Sequence, residues 1–214
     1  MDYGSSGNQV WIAWDDNFID VNVVECGTQF IHCLVNIRAI HESVAITIAY
    51  GATEMVDRRE LWNALENLAI QCADIPWLIG GDFNAVRDLS EVCGTSGDIQ
   101  IAIEDFNAAI QNTGLLPLPM QGEWYTWHNH SATPRNLWKR LDRMLKKDRW
   151  MARFPIHTTR TLLSTRTGQS NKIGADYVKS TSEDAVDEGR RSVLPSVLSE
   201  DCPTKIIKED LPDQ

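Results

Sequence analysis

Apolar positions recur at every second residue in the first quarter of the chain and at every third or fourth residue further on. Val10-Trp11-Ile12-Ala13-Trp14 is an apolar, β-prone run, and Asp15-Asp16-Asn17 after it is turn chemistry. Ile19, Val21 and Val23 then alternate with Asp20 and Asn22, and Cys26-Gly27 marks a second turn. Thr28–Arg38 reads as a longer strand. Val44, Ile46 and Ile48 alternate with Ala45, Thr47 and Ala49 up to Tyr50. Four strands joined by short turns predict an antiparallel meander.

Gly51-Ala52-Thr53 breaks the alternation. Thr53 is a candidate cap, with Glu54 and Asp57 near the positive end of a helix. Leu61, Trp62, Leu65, Leu68 and Ala69 recur at helical spacing to about Ala73, and Pro76 lies just past the end. Pro76–Val86 opens with an apolar run too short for a helix, which predicts a buried strand. Asp98 is the candidate cap of a second helix with Ile99, Ile103, Phe106 and Ile110 inward, ended by Gly114 near Asn112.

Pro117 and Pro119 make Leu115–Gln121 an irregular connection. Glu123–Trp127 predicts a short aromatic strand and Asn129–Pro134 a loop. Leu137–Leu145 predicts one strand carrying Arg140-Leu141-Asp142, and Lys147–Phe154 a turn or two of helix. Beyond Pro155 the chain turns polar and loses any sustained period. The expected division is a domain over residues 9–157 and a disordered or weakly ordered tail over 158–214.

Of the 214 residues, 43% are hydrophobic and 23% charged, ordinary for a globular protein. No apolar stretch is long enough to span a bilayer, and no signal-peptide pattern opens the chain. The five cysteines are odd in number, widely spaced and without a CxxC pair. They read as free thiols of a reducing, intracellular compartment, nuclear or cytoplasmic. A formal net charge of −10 argues against nucleic-acid binding through overall charge. The run from Arg135 to Arg153 is locally basic all the same. It is either a phosphate-contacting segment or a solvated helix face.

The candidate chemistry centres on Gly80-Gly81-Asp82-Phe83-Asn84. Glycines here allow a sharp turn or a close approach. In extended geometry Asp82 and Asn84 point to one side. An acid that orients water or metal, beside an amide that donates to a developing oxyanion, suits hydrolysis. The alternative is an Asx-type turn in which both bond local backbone. Trp11, Trp14, Trp62 and Trp77 read as core. Trp124 and Trp127 offer either packing or base stacking, with packing favoured for Trp124. Arg140 is either a phosphate contact or an exposed or salt-bridged neighbour of Asp142. His128 and His130 form an HxH pair without a third ligand in view. His32 and His41 read as ordinary strand and turn residues.

The order of these motifs resembles the endonuclease/exonuclease/phosphatase superfamily: a strand ending Tyr50-Gly51, a helix with Glu60-Leu61-Trp62, then Trp77–Asn84, Tyr125-Thr126-Trp127, Arg140-Leu141-Asp142-Arg143 and Trp150–Pro155. The wording is most similar to the apurinic-type endonuclease domain of plant LINE-type (non-LTR) retrotransposons, from about Val10 to Pro155. The resemblance implies a four-layered α/β sandwich of two mostly antiparallel sheets with flanking helices, here incomplete. It implies hydrolysis of phosphodiester bonds in DNA with Mg²⁺ or Mn²⁺. Asp82 then positions the attacking water, Asn84 holds the scissile phosphate, Asp142 orients a histidine, and Tyr50 lies near the phosphate. Asp82 and Asn84 are the candidate metal ligands, and Tyr50, Trp127 and Arg140 the candidate substrate contacts.

The pattern departs from the family at both ends. Strands bearing the family's Asn and metal-binding Glu have no counterpart, and Glu25, Glu42 and Glu54 do not match that position. A closing Ser-Asp-His strand is also missing, with His157 too early to replace it. Mg²⁺ prefers several oxygens in an octahedron, and loss of part of a catalytic unit costs most of its rate. The expectation is a truncated, catalytically defective member. The alternative is a non-catalytic interaction or nucleic-acid-binding remnant.

Overall fold

The computed structural model describes residues 2–4, 10–94, 96–129, 136–155 and 159–161. His130, Arg135, His157, Cys202 and nearly all of the expected tail lie outside them. The described strands are β1 (Asp2–Gly4), β2 (Trp11–Ala13), β3 (Ile19–Cys26), β4 (Phe30–Ile37) and β5 (Glu42–Tyr50), then β6 (Trp77–Asp82) and β7 (Val92–Cys93). They continue as β8 (Leu116–Pro117), β9 (Met120–Gly122), β10 (Trp127–His128), β11 (Trp138–Lys139), β12 (Asp142–Lys146) and β13 (Thr159–Thr161). The helices are α1 (Met55–Gln71), α2 (Gln100–Thr113) and α3 (Asp148–Arg153).

The architecture is α/β, as expected. A six-stranded sheet runs in the order β3-β4-β5-β6-β12-β8. β3, β4 and β5 form an antiparallel meander. β5 and β6 are parallel, because α1 carries the chain across between them. β12 returns antiparallel to β6. A second, three-stranded sheet orders β10-β11-β7, and β1-β2 and β13-β9 form two-stranded ladders.

Several sequence expectations change here. The Trp11 strand does not join the meander; it pairs with Asp2–Gly4. The single strand expected over Leu137–Leu145 is two, in different sheets, with the chain crossing between them at Arg140-Leu141. The aromatic strand shrinks to Trp127–His128. The proline-bearing connection contributes two short strands at a sheet edge, where a missing N–H is tolerated. Thr159–Thr161, inside the expected tail, pairs in parallel with Met120–Gly122.

The main sheet separates two cores by strand alternation. On one face Ala45, Ala49, Trp77, Ile79 and Leu145 meet Leu61, Leu65 and Leu68 of α1 and Phe106 and Ile110 of α2. Trp62 stacks on Phe106 at 4.8 Å, and Phe83 lies 5.3 Å from the same ring. On the other face Ile31, Val35, Val44, Ile48, Leu78 and Met144 meet Val10, Ile12, Trp150 and Phe154. Helix α1 starts with Glu54 at its cap and no side-chain cap bond, so Thr53 does not play that part. Instead buried Arg58 donates to the Ala52 and Thr53 carbonyls at 2.8 and 2.7 Å. Gly114 closes α2 in the left-handed conformation, φ 66°. No helix among the described residues is long and apolar enough to cross a membrane.

Candidate functional site

Strand β6 ends between two neighbours that each bring a candidate residue to its last position. Tyr50 of β5 pairs in register with Asp82, and Asp142 of β12 pairs with Asp82 from the other side. Residues in register on adjacent strands share a face. Alternation places these three with Ile48, Leu78 and Met144, on the face away from α1 and α2. Asp82 is 8% exposed and Asp142 3%. The sequence-predicted Tyr50, Asp82 and Asp142 are thus brought together.

The glycines serve close approach rather than a turn, since the strand runs on through Asp82. Gly81 has φ 147°, and a Cβ there would overlap the Ala49 carbonyl. β5 and β6 meet at the end of the strand because that atom is missing.

Asn84 follows a different geometry from the extended one expected. Its φ is 45°, a left-handed turn. Its backbone N–H donates to Asp82 Oδ1 at 2.8 Å, and its Nδ2 donates to the Gly51 carbonyl at 2.7 Å. The Asx-type turn is therefore present, and it does not disperse the pair. It fixes the Asp82 carboxylate and ties Asn84 to the chain just past Tyr50. Gly51 N–H in turn donates to the Asp82 carbonyl at 2.8 Å. Phe83, between them, points into the helix-backed core and anchors the turn.

Further residues shape this strand end that sequence reading did not single out. Thr126 Oγ1 accepts from the N–H groups of Leu141 and Asp142, each at 3.0 Å, and so positions β12's first residue. Gln29 holds the loop after Tyr50, accepting from Ala52 N–H at 2.7 Å and donating to the Asp57 carbonyl at 2.9 Å. Lys139, in register with Trp127, is half-buried. Burial pushes its ammonium pKa down, with the Arg58 charge adding to the effect. Burial likewise lowers Arg58, while Glu54, Asp82 and Asp105 pull it back up. The only sequence signal for Thr126 was its place in the Tyr125-Thr126-Trp127 motif, and for Lys139 its place in the basic run beside Arg140.

Trp127 is half-buried against Val86, Ile103 and Leu141. Trp124, expected to pack, is 50% exposed. Arg140 is neither exposed nor paired to Asp142; its guanidinium sits 4.1 Å over the Trp124 ring. His128 stacks on Trp138 at 3.8 Å. The described part of the basic run is spread over β11, β12 and α3 and does not form one helix face. Arg143 is buried against Glu91, at 2.9 and 3.1 Å, and Lys146 is buried in β12. Lys147 donates to the Ala69 carbonyl, Arg149 pairs with Asp74 and Arg153 with Glu42. His32, expected to be ordinary, joins a buried network: Nδ1 lies 2.7 Å from Thr47 Oγ1, which also accepts from Trp77 Nε1 at 2.9 Å.

Magnesium takes near-octahedral oxygen donors at ~2.0–2.1 Å. Two carboxylates and one amide meet at this strand end, and Asp82 Oδ1 already accepts from Asn84 N–H. No group of three or more His, Cys, Asp or Glu side chains forms a metal-holding cluster among the described residues. Asp82 and Asp142, with the Asn84 amide oxygen, are the described groups that would hold such an ion, water or phosphate completing its shell.

No protein-family model matches the chain, and no curated protein matches it. Solved structures do. The endonuclease domain of TRAS1, a telomere-specific non-LTR retrotransposon, superposes with a TM-score of 0.55 at 13% identity, over 71% of this chain and 68% of that one. An endonuclease/exonuclease/phosphatase family protein from Bacteroides thetaiotaomicron gives 0.41 at 10% identity, over 62% of this chain and 52% of that one. TDP2 from D. rerio, complexed with a single-strand DNA product, gives 0.35 at 11% identity, over 64% and 53%. The chain thus spans about half the length of the last two. At 13% identity the likeness to the TRAS1 endonuclease domain establishes a shared fold and nothing finer.

Proposed function

We propose that the chain is a phosphodiester-hydrolase-type domain of retrotransposon-endonuclease character. It engages DNA at the end of β6, with hydrolysis strongly impaired. The observation that carries the reading is the register of Tyr50, Asp82 and Asp142 across three adjacent strands, with Asn84 fixed one turn beyond. The fold it shares with the TRAS1 endonuclease domain supports the choice of DNA.

A phosphodiester needs donors for its oxygens and an acceptor that aligns water in line with the leaving oxygen. Asn84 and the Tyr50 hydroxyl supply donors. Asp82 supplies the acceptor, with Asp142 as a second carboxylate in register beside it. Trp127 and Arg140 flank the site as DNA contacts. Mg²⁺ or Mn²⁺, which the sequence resemblance implies, would neutralise charge on a phosphate held at Asp82 and Asn84. The lack of an Asp-His pair in the sequence beyond Pro155 supports the impaired reading and keeps a non-catalytic DNA-binding module as the second reading.

Fluorescence anisotropy with a labelled DNA duplex tests engagement. The full chain is expected to bind with a salt-dependent affinity. Replacing both Asn84→Ala and Tyr50→Phe should weaken binding by about a hundred-fold or more, from about 1.5–3 kcal/mol per hydrogen bond to a charged group. Affinity that ignores both substitutions would remove the DNA role from this strand end.

A further inference from the structure

A cavity of about 380 Å³ opens along the outer edge of β12, beyond the point where β8 stops pairing with it. That volume falls within the ~300–1,000 Å³ range of small-ligand sites. Its walls combine three guanidiniums, Arg87, Arg140 and Arg143, and two carboxylates, Asp88 and Glu91, with Met120 and Trp124.

The three cations are not equally satisfied. Glu91 takes both donating arms of Arg143. Arg87 Nε donates to Asn107 Oδ1 at 2.9 Å, a neutral partner. Arg140 Nη2 lies 3.4 Å from the Met120 sulfur, and its Nε is sealed from solvent without a hydrogen-bond partner. Neither Arg87 nor Arg140 forms an ion pair among the described residues. Burial lowers the pKa of both and the Arg143 charge lowers it further, while Glu91 raises it. Guanidinium does not shed its proton in a protein, so three cations face two carboxylates across this cavity.

The aromatic wall is equally specific. Trp124 Nε1 donates to the Ser90 carbonyl at 3.2 Å, which fixes the plane of the ring. Arg140 covers part of it, and half the residue stays in solvent. A held, half-open indole beside an unneutralised guanidinium matches an aromatic ring carrying a negative charge.

The cavity also has a fixed place relative to β6. Arg140 is two residues from Asp142, at most ~7 Å along an extended chain. Trp124 is two residues from Thr126, whose hydroxyl holds the Asp142 N–H. That proximity would let a strand lying on the Asp82 end enter the cavity with an adjacent nucleotide.

We propose that this cavity holds one unpaired nucleotide of a bound DNA strand, its base against Trp124 and its phosphate against Arg140 and Arg87. The proposal rests on the DNA reading of the β6 end. It adds to that reading a preference for a strand that can release a base from its stack.

The test titrates the full chain with a short oligothymidylate, an abasic oligonucleotide of equal length and charge, and a duplex. Oligothymidylate should bind more tightly than its abasic counterpart. Trp124→Leu should weaken the former about ten-fold and erase the difference between the two. Arg140→Met should weaken both and lower the salt slope by about one charge. Asp82→Asn should leave the difference between the two oligonucleotides intact. The half-open position of Trp124 lets Trp124→Leu fold, which circular dichroism verifies. Equal weakening of both oligonucleotides by Trp124→Leu, or of neither, overturns the nucleotide site. If that happens while the duplex still binds, the β6 reading stands alone; if the wild type binds none of the three, the DNA reading beneath it fails.

Discussion

The two faces of the six-stranded sheet are built in different ways. The helix-backed face is filled by two helices whose leucines and aromatics interlock with Trp77, Ile79 and Phe83. The opposite face is covered by a short strand, a short helix and isolated loop residues, and Val21, Val23, Ile46 and Tyr50 stay only partly buried. Stability resides on the first face and the candidate chemistry opens on the second. The difference shows how a strand end can hold two buried carboxylates: the cost of burying them is met by packing elsewhere.

The sharpest way to break this comparison is to empty each face in turn. Leu65→Ala, on the helix-backed side, should destabilise by about 4 kcal/mol as read by urea unfolding. Val21→Ala, on the open side, should cost about 1 kcal/mol. Equal losses would contradict the division.

The buried Arg143–Glu91 pair comes next. It lies on the helix-backed side, with Arg143 5.2 Å over the Phe106 ring. Glu91→Gln leaves a buried guanidinium without its carboxylate and should destabilise by about 3 kcal/mol. A loss under about 1 kcal/mol would mean that Ala85 and Arg140 carbonyls suffice to hold Arg143.

His32 gives a comparable effect that depends on pH. Burial lowers its pKa from 6.5 to about 4. The unfolded chain therefore binds a proton in the window between those values and the folded chain does not. Stability is whole above pH 6.5 and falls as pH drops through about 4, by up to about 3 kcal/mol. His32→Gln should flatten that part of the acid limb; an unchanged limb would assign acid loss to the carboxylates instead.

How much of this was legible depended on how locally each feature is encoded. The meander strands, α1, α2 and the Trp77 strand follow from periodicity, because each buries a continuous face of consecutive residues. The union of Tyr50, Asp82 and Asp142 was legible only through the likeness to a family, since no local pattern specifies registers between strands so far apart in sequence. Arg140-Leu141 misled because a strand pattern does not reveal that the chain changes sheets there. Arg143 and Lys146 looked like surface charge. Their burial depends on partners such as Glu91, 52 residues away. Trp124 looked like core because its exposure is set by the Ser90 carbonyl and Arg140, neither of which is its neighbour in the chain.

We propose that β6 ends in a DNA-directed site at which hydrolysis is strongly impaired. Nicking of supercoiled plasmid by the full chain in Mg²⁺, with Asp82→Ala beside it, tests that claim most directly. The two proteins should be indistinguishable from background under conditions where DNA is bound. Nicking by the wild type that vanishes in Asp82→Ala would show a complete site and contradict the account.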